Sequence, residues 1–416
     1  MTRTHLVGML LGAEEDWPAA FESLLRRVDP AIRRGGETHR FTTERVTIEP
    51  FDLRAVPRHS LVIDRLGWWY DLPREWLKKV AIMDQVHLLN NPYTFQAMEK
   101  HAAYCAMMRL GLHIPNTWMV PNKVPPDNPR FARTAERYVQ LFELGEVASH
   151  VGLPLYMKPF DGGAWVGVSR VEDAATLYRA YDESGERLMH LQASVEGFDV
   201  FVRSLGIGAE TMVMRYDPSR PMHDRYSVMH DFLTPETGEE VVSIIRTVNA
   251  FFRWELNSCE TLVRDGVVHP IDYANATPDL ALTSLHYYFP WAIRTLLKWV
   301  VFCCATGRRQ TVDLDTKRYF AVADREGMTY AERLHEYRRL ADKQLDVERY
   351  HAFCARHLSH VDEASVEWVE SEEFGRIIVD TVRDTFPEHE HEQFISHYRG
   401  LLGRWAADQR ATAGAA

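Results

Sequence analysis

The chain has only five cysteines (Cys105, Cys259, Cys303, Cys304 and Cys354), and none of them form a Cys-x-x-Cys pair. An odd, scattered set predicts free thiols in a reducing compartment and argues against a disulfide framework or a thiolate zinc site. Long apolar runs are lacking as well. Residues 6–11 are too few for a secretory core and are followed at once by Glu14, Glu15 and Asp16, so a first strand is expected there. Residues 299–305 fall far short of the roughly 20 that a membrane span needs. A cytoplasmic protein with no membrane partner is the expectation. Basic runs are also missing: 59 acidic against 48 basic residues leave a net charge of −11, so nucleic acid is not an expected partner. Neither a Walker Gly-Lys-Ser/Thr nor a Gly-x-Gly-x-x-Gly occurs, which removes two common phosphate loops. His389, His391 and His397 lack the offset of a His-Glu-x-x-His zinc helix and read as surface histidines.

Aromatic residues, by contrast, are plentiful. With 11 Trp, 17 Tyr, 19 Phe and 46% hydrophobic residues, the 416-residue chain can bury a large core in two or three domains. Strand-like and helix-like pieces alternate from 5 to 90: strands at 5–11, 45–51, 60–64 and 86–89, helices at 17–28 and 74–85. That alternation predicts an α/β domain over 1–91 of the doubly wound kind. Further on, helices are expected at 93–110, 134–150, 171–184 and 234–249, the last starting at Thr234-Pro235. Strands are expected at 153–158, 188–195 and 199–214, and a hairpin of 251–263 with 267–274 turns at Asp265-Gly266. Residues 92–290 form the second domain of this reading, and 291–416 a helical carboxy-terminal extension.

Triphosphate chemistry needs close backbone approach, lysines to meet the oxygens, and carboxylates to hold magnesium. The sequence supplies all three in order. Residues 155–168 read as a strand ending at Lys158, a glycine-rich turn with Gly162, Gly163 and Gly167, and a returning strand. Upstream lie Glu99-Lys100 and then Leu110-Gly111-Leu112-His113-Ile114-Pro115-Asn116-Thr117. Downstream come 191–200 with Gln192, Val195 and Asp199, then Arg253-Trp254-Glu255 and Glu260, and finally Asp272-Tyr273-Ala274-Asn275.

This order resembles the ATP-grasp superfamily, over roughly residues 60–290. The resemblance implies an α+β ATP-grasp fold following the α/β domain. It also implies that Lys100 and Lys158 meet the phosphates under the Gly162-Gly163 flap, that Gln192 and Val195 meet adenine, and that Asp199 meets the ribose. Gln and Asp stand at 192 and 199 where Glu is commoner in the family. The resemblance makes Glu255, Glu260, Asp272 and Asn275 candidate ligands for Mg2+, with either glutamate as the first-strand carboxylate. Strand alternation puts Asp272 and Asn275 on opposite faces unless a bulge intervenes. Arg253 and Lys158 become the catalytic candidates. The implied activity is an ADP-forming ligase that uses ATP to join a small-molecule carboxylate to an amine through an acylphosphate. The alternatives are a phosphotransferase of the same fold or a nucleotide-binding protein without ligase activity. Residues 279–291, with Thr283, Ser284, His286 and Tyr287, are the expected substrate loop; a homodimer is left open.

Overall fold

The computed structural model describes residues 1–125, 128–133, 142–163 and 165–415. The described residues are a mixture of helix and strand with three sheets and a helical carboxy-terminal region. The amino-terminal part runs β1 (Thr2–Leu10), α1 (Asp16–Val28), β2 (Ile32–Arg34), β3 (Glu37–Arg45), β4 (Leu61–Asp64), α2 (Asp71–Met83) and β5 (His87–Leu89). Its sheet has the order β2-β3-β1-β4-β5. The pairs β1–β3, β1–β4 and β4–β5 are parallel, and only β2–β3 is antiparallel. The continuous apolar run in β1 fits this central place, since a parallel strand is covered on both faces. Helix α1 buries Trp17, Phe21, Leu24, Leu25 and Val28, a stripe at helical spacing. The third strand lies at 37–45 rather than 45–51; there its register with β1 pairs Thr2 with Thr38 through Met9 with Arg45.

The expected helix at 93–110 is two pieces. A 3-10 helix, Pro92–Glu99, precedes α3 (His101–Arg109), and Lys100 between them has φ 59°. Asn91 opens the 3-10 helix: its side chain accepts from the Tyr93 N–H and its carbonyl from the Thr94 hydroxyl. Next come β6 (Thr117–Val120), α4 (Leu144–Val151), β7 (Leu155–Pro159), β8 (Ser169–Val171), α5 (Ala174–Ser184) and β9 (Met189–Ala193). Residues 134–141 of the expected helix 134–150 lie outside the described residues. The helix expected from 171 starts at Ala174, where Asp173 and Thr176 form a capping box. These strands make a sheet of order β6-β9-β7-β8, packed on a core that includes Leu155, Met157, Leu177, Tyr181 and Leu191.

The third sheet has the order β12-β11-β10-β13-β14, from β10 (Val200–Ile207), β11 (Glu210–Tyr216), β12 (Tyr226–Ser227), β13 (Leu256–Arg264) and β14 (Val267–Asn275). Asp265 and Gly266 both have positive φ, the backbone of a primed hairpin turn. Helix α6 (Pro235–Phe252) starts where Thr234 accepts the Thr237 N–H, as expected, but runs past 249. It stops at Arg253 in the left-handed conformation, with the Trp254 N–H returning to the Asn249 carbonyl, so the strand begins at 256 rather than 251. Helix α7 (Phe289–Thr306) and six more follow: α8 (Thr316–Ala323), α9 (Tyr330–Gln344), α10 (Val347–His357), α11 (His360–Val369), α12 (Glu372–Thr385) and α13 (His391–Ala415). No helix among the described residues is long and apolar enough to cross a membrane.

The contacts divide the chain into two compact units. The first comprises Met1–Phe95, Val202–Cys259 and Asn275–Ala416; the second comprises Gln96–Phe201 and Glu260–Ala274. The carboxy-terminal helices are thus part of the first unit, where Trp368 donates to the Ser23 hydroxyl.

Candidate active site

Within the second unit, five of the residues singled out in the sequence converge. Lys158, near the end of β7, is buried, and its Nζ donates to Gln192 Oε1 at 2.7 Å and to the Ile271 carbonyl at 3.4 Å. Gln192 Nε2 in turn donates to Thr117 Oγ1 at 3.0 Å, which fixes the orientation of the amide. Lys100 is also buried; its Nζ lies 3.1 Å from Asp272 Oδ2 and donates to the Gly162 carbonyl at 3.2 Å. Burial pulls the Lys158 ammonium down to about 8; Asp272 and Glu260 oppose that shift, while Lys100 adds to it. Two lysines and two carboxylates therefore share one field, and one lysine is poised near neutrality.

Strand pairing explains how the sequence builds this. Antiparallel β7 and β9 set Lys158 opposite His190 and Tyr156 opposite Gln192, so the long lysine side chain reaches Gln192 on the diagonal. Gly162 has φ 89°, which a side-chain-bearing residue rarely adopts, and a side chain at Gly162 or Gly163 would meet open space. The returning strand β8 starts at Ser169, one residue beyond the segment expected for it.

His190 and Tyr104 are part of this cluster and were not singled out in the sequence. His190 stacks on His101 and sits edge-on to Tyr104, whose hydroxyl donates to the Ile271 carbonyl at 3.0 Å. Burial, with His101 and the two lysines, lowers the His190 ring to about 4, so it is neutral at pH 7. Burial and the charge of Asp272 push the Tyr104 phenol well up. The available signal for His190 was its place two residues before Gln192, on the same face of a strand.

The remaining candidates have other partners. Val195 is buried in the second unit. Asp199 Oδ2 accepts the Asp265 N–H at 2.9 Å and so braces the hairpin turn. Strand β14 passes through both Asp272 and Asn275, yet their contacts differ: Asn275 Nδ2 donates to Ser258 Oγ at 3.0 Å, and its N–H donates to Asn257 Oδ1 at 2.9 Å, all in the first unit. Thr283, Ser284, His286 and Tyr287 are buried in the first unit, where the Tyr287 hydroxyl donates to Asp408.

Glu255 is a buried ion-pair partner. Its Oε1 accepts from Arg308 Nε at 2.9 Å, and its Oε2 from Trp299 Nε1 at 2.8 Å with His87 Nε2 at 2.7 Å. Burial alone would raise this carboxyl, but the Arg308 guanidinium and the His87 ring outweigh it and hold the group well below the usual carboxylate range. Gly208, with φ 57°, lets Trp299 approach; a Cβ there would lie 2.0 Å from the indole. Glu255, His87 and Cys303 offer ligand atoms within 4.8 Å of one another. A cation there would compete with Arg308 and Trp299 for the carboxylate, so this set reads as a closed hydrogen-bonded core. Asp272 and Glu260, by contrast, are the carboxylates that share the field of Lys158. Arg253, at the end of α6, donates from Nε to the Asp313 carbonyl at 3.0 Å.

No family model matches the chain, and no curated protein matches its sequence. Among solved structures, the chain is similar to D-alanine–D-alanine ligase from Bacillus anthracis complexed with ATP, at 12% identity, TM-score 0.48, with 73% of this chain and 98% of that one covered. It is also similar to the VanG D-Ala:D-Ser ligase of Enterococcus faecalis, at 12% identity, TM-score 0.45, covering 82% and 100%. A RimK-domain ATP-grasp protein from Sphaerobacter thermophilus aligns at 13% identity, TM-score 0.44, covering 66% and 92%. Overlaps this distant leave the functional reading to rest on the residues themselves.

Proposed function

We propose that the chain is an ATP-grasp ligase that uses ATP and magnesium to join a carboxylate to an amine. The observation that carries this reading is the convergence of Lys100, Lys158, Gln192, Asp272 and the Gly162 backbone in one unit. Lys100 and Lys158 meet the phosphate oxygens, each exchanging a protein partner for a phosphate, and the Gly162-Gly163 loop covers them. Gln192 and Val195 hold the base, and Asp199 is retained for the ribose. Asp272 and Glu260 hold magnesium; of the other expected ligands, Glu255 has little to offer, since Arg308, Trp299 and His87 engage both of its oxygens, and Asn275 is engaged by Ser258 and Asn257. Bound magnesium would screen the phosphate charge.

In this reading a substrate carboxylate oxygen attacks the γ-phosphorus and ADP leaves, giving an acylphosphate; the amine nitrogen then attacks the acyl carbon and inorganic phosphate leaves. The chain's own share is positioning and charge: Lys158 stabilises the oxygens that gain charge, and His190, being neutral, adds no second cation beside it. The test is a screen of amino acids and amines for phosphate release, with hydroxylamine present to trap the acylphosphate as a hydroxamate. A hydroxamate that depends on ATP and magnesium supports the ligase; labelled γ-phosphate ending on a stable product contradicts it.

A further inference from the structure

The first unit contains a polar cavity of ≈ 120 Å³ whose lining includes His87, Arg253, Arg308, Arg309, Gln310 and Thr311. Its charges do not cancel. Glu255, the one carboxylate of the lining, is already engaged by Arg308 and His87, and Arg308 also reaches Asp346. Arg253 and Arg309 have no ion pair among the described residues: the first donates to the Asp313 carbonyl, the second to the Gln85 side-chain amide. Burial lowers the Arg253 guanidinium; Tyr319 and Asp315 oppose this, and the neighbouring Arg308 and Arg318 add to it.

We infer that this cavity binds a compact oxyanion, a phosphate or a short carboxylate, through Arg253 and Arg309. Guanidinium forks suit both oxyanions, since each presents two oxygens at the matching spacing. The site is built wholly within the first unit and does not depend on the proposed ligase reading.

Calorimetric titration of inorganic phosphate, and separately of succinate, into the full chain at constant ionic strength tests this. At least one of the two is expected to bind with a Kd of about 1 mM or tighter; which one does so distinguishes a phosphate site from a carboxylate site. Arg309→Gln, at an exposed position where folding is not at stake, is expected to weaken that binding at least tenfold, and Arg253→Gln likewise. Lys158→Ala is expected to leave it unchanged, which separates this site from the lysine pair. No binding of either anion, unchanged affinity in Arg309→Gln and Arg253→Gln, or loss in Lys158→Ala alone would overturn the inference.

Discussion

Lys158 Nζ donates to Gln192 Oε1 across β7 and β9, and both side chains are buried, so an ammonium is held in a poorly solvated place by a neutral amide. The neighbouring Asp272 and Glu260 offset only part of the desolvation, which leaves the group at about 8 against an ordinary 10.5. Between those two values the unfolded chain carries a proton that the folded chain lacks. Stability contributed by this group therefore rises with pH across that window and is lowest below pH 8, the reverse of a lysine that gains an ion-pair partner. Denaturant midpoints measured from pH 7.5 to 10 should show an upward component in the wild type that is absent in Lys158→Met.

Gln192 occupies a position where a carboxylate would pair with the ammonium directly. Gln192→Glu is expected to raise the Lys158 value above 8 and to move the upward stability component to higher pH. An unchanged pH profile would show that the amide and the lysine are not coupled.

Replacing Glu255 tests a different kind of role. Glu255→Gln removes one of the two carboxylates that meet Arg308 and leaves only Asp346, and loss of one member of a buried pair typically costs about 3–5 kcal/mol, here lessened by the partner that remains. The melting temperature should fall sharply, far more than for Asp272→Asn, whose carboxylate is a third exposed. The folded carboxyl value is depressed, so its contribution is full above the unfolded value and is lost as pH falls toward the folded one. Wild type should accordingly lose stability on acidification more steeply than Glu255→Gln.

Asp272→Asn should abolish magnesium-dependent phosphate release while leaving the circular dichroism spectrum and melting temperature close to wild type. Full activity in that variant would remove Asp272 from the metal site and leave Glu260 as the candidate.

Much of the fold was legible because the signals were local. The Asp265-Gly266 turn, the Thr234-Pro235 helix start and the apolar run of β1 each fix their own backbone. The strand ending at Lys158 and the glycine turn after it could be read the same way. What escaped depends on distant partners. The break at Lys100 is a positive φ that no periodicity reveals. The family resemblance makes Glu255 a candidate metal ligand, but Glu255 is met by Arg308 from beyond α7 and by His87 from β5, far from it along the chain. Strand alternation could assign Glu255 a face and could not name what that face would meet.

The most direct measurement is calorimetric titration of ATP with magnesium into wild type and Lys158→Ala. Wild type is expected to bind and the variant to lose at least tenfold in affinity, about 1.4 kcal/mol, with folding retained because a buried, poorly solvated charge has been removed. Equal affinity in the two proteins, or no ATP binding by the wild type, would contradict it.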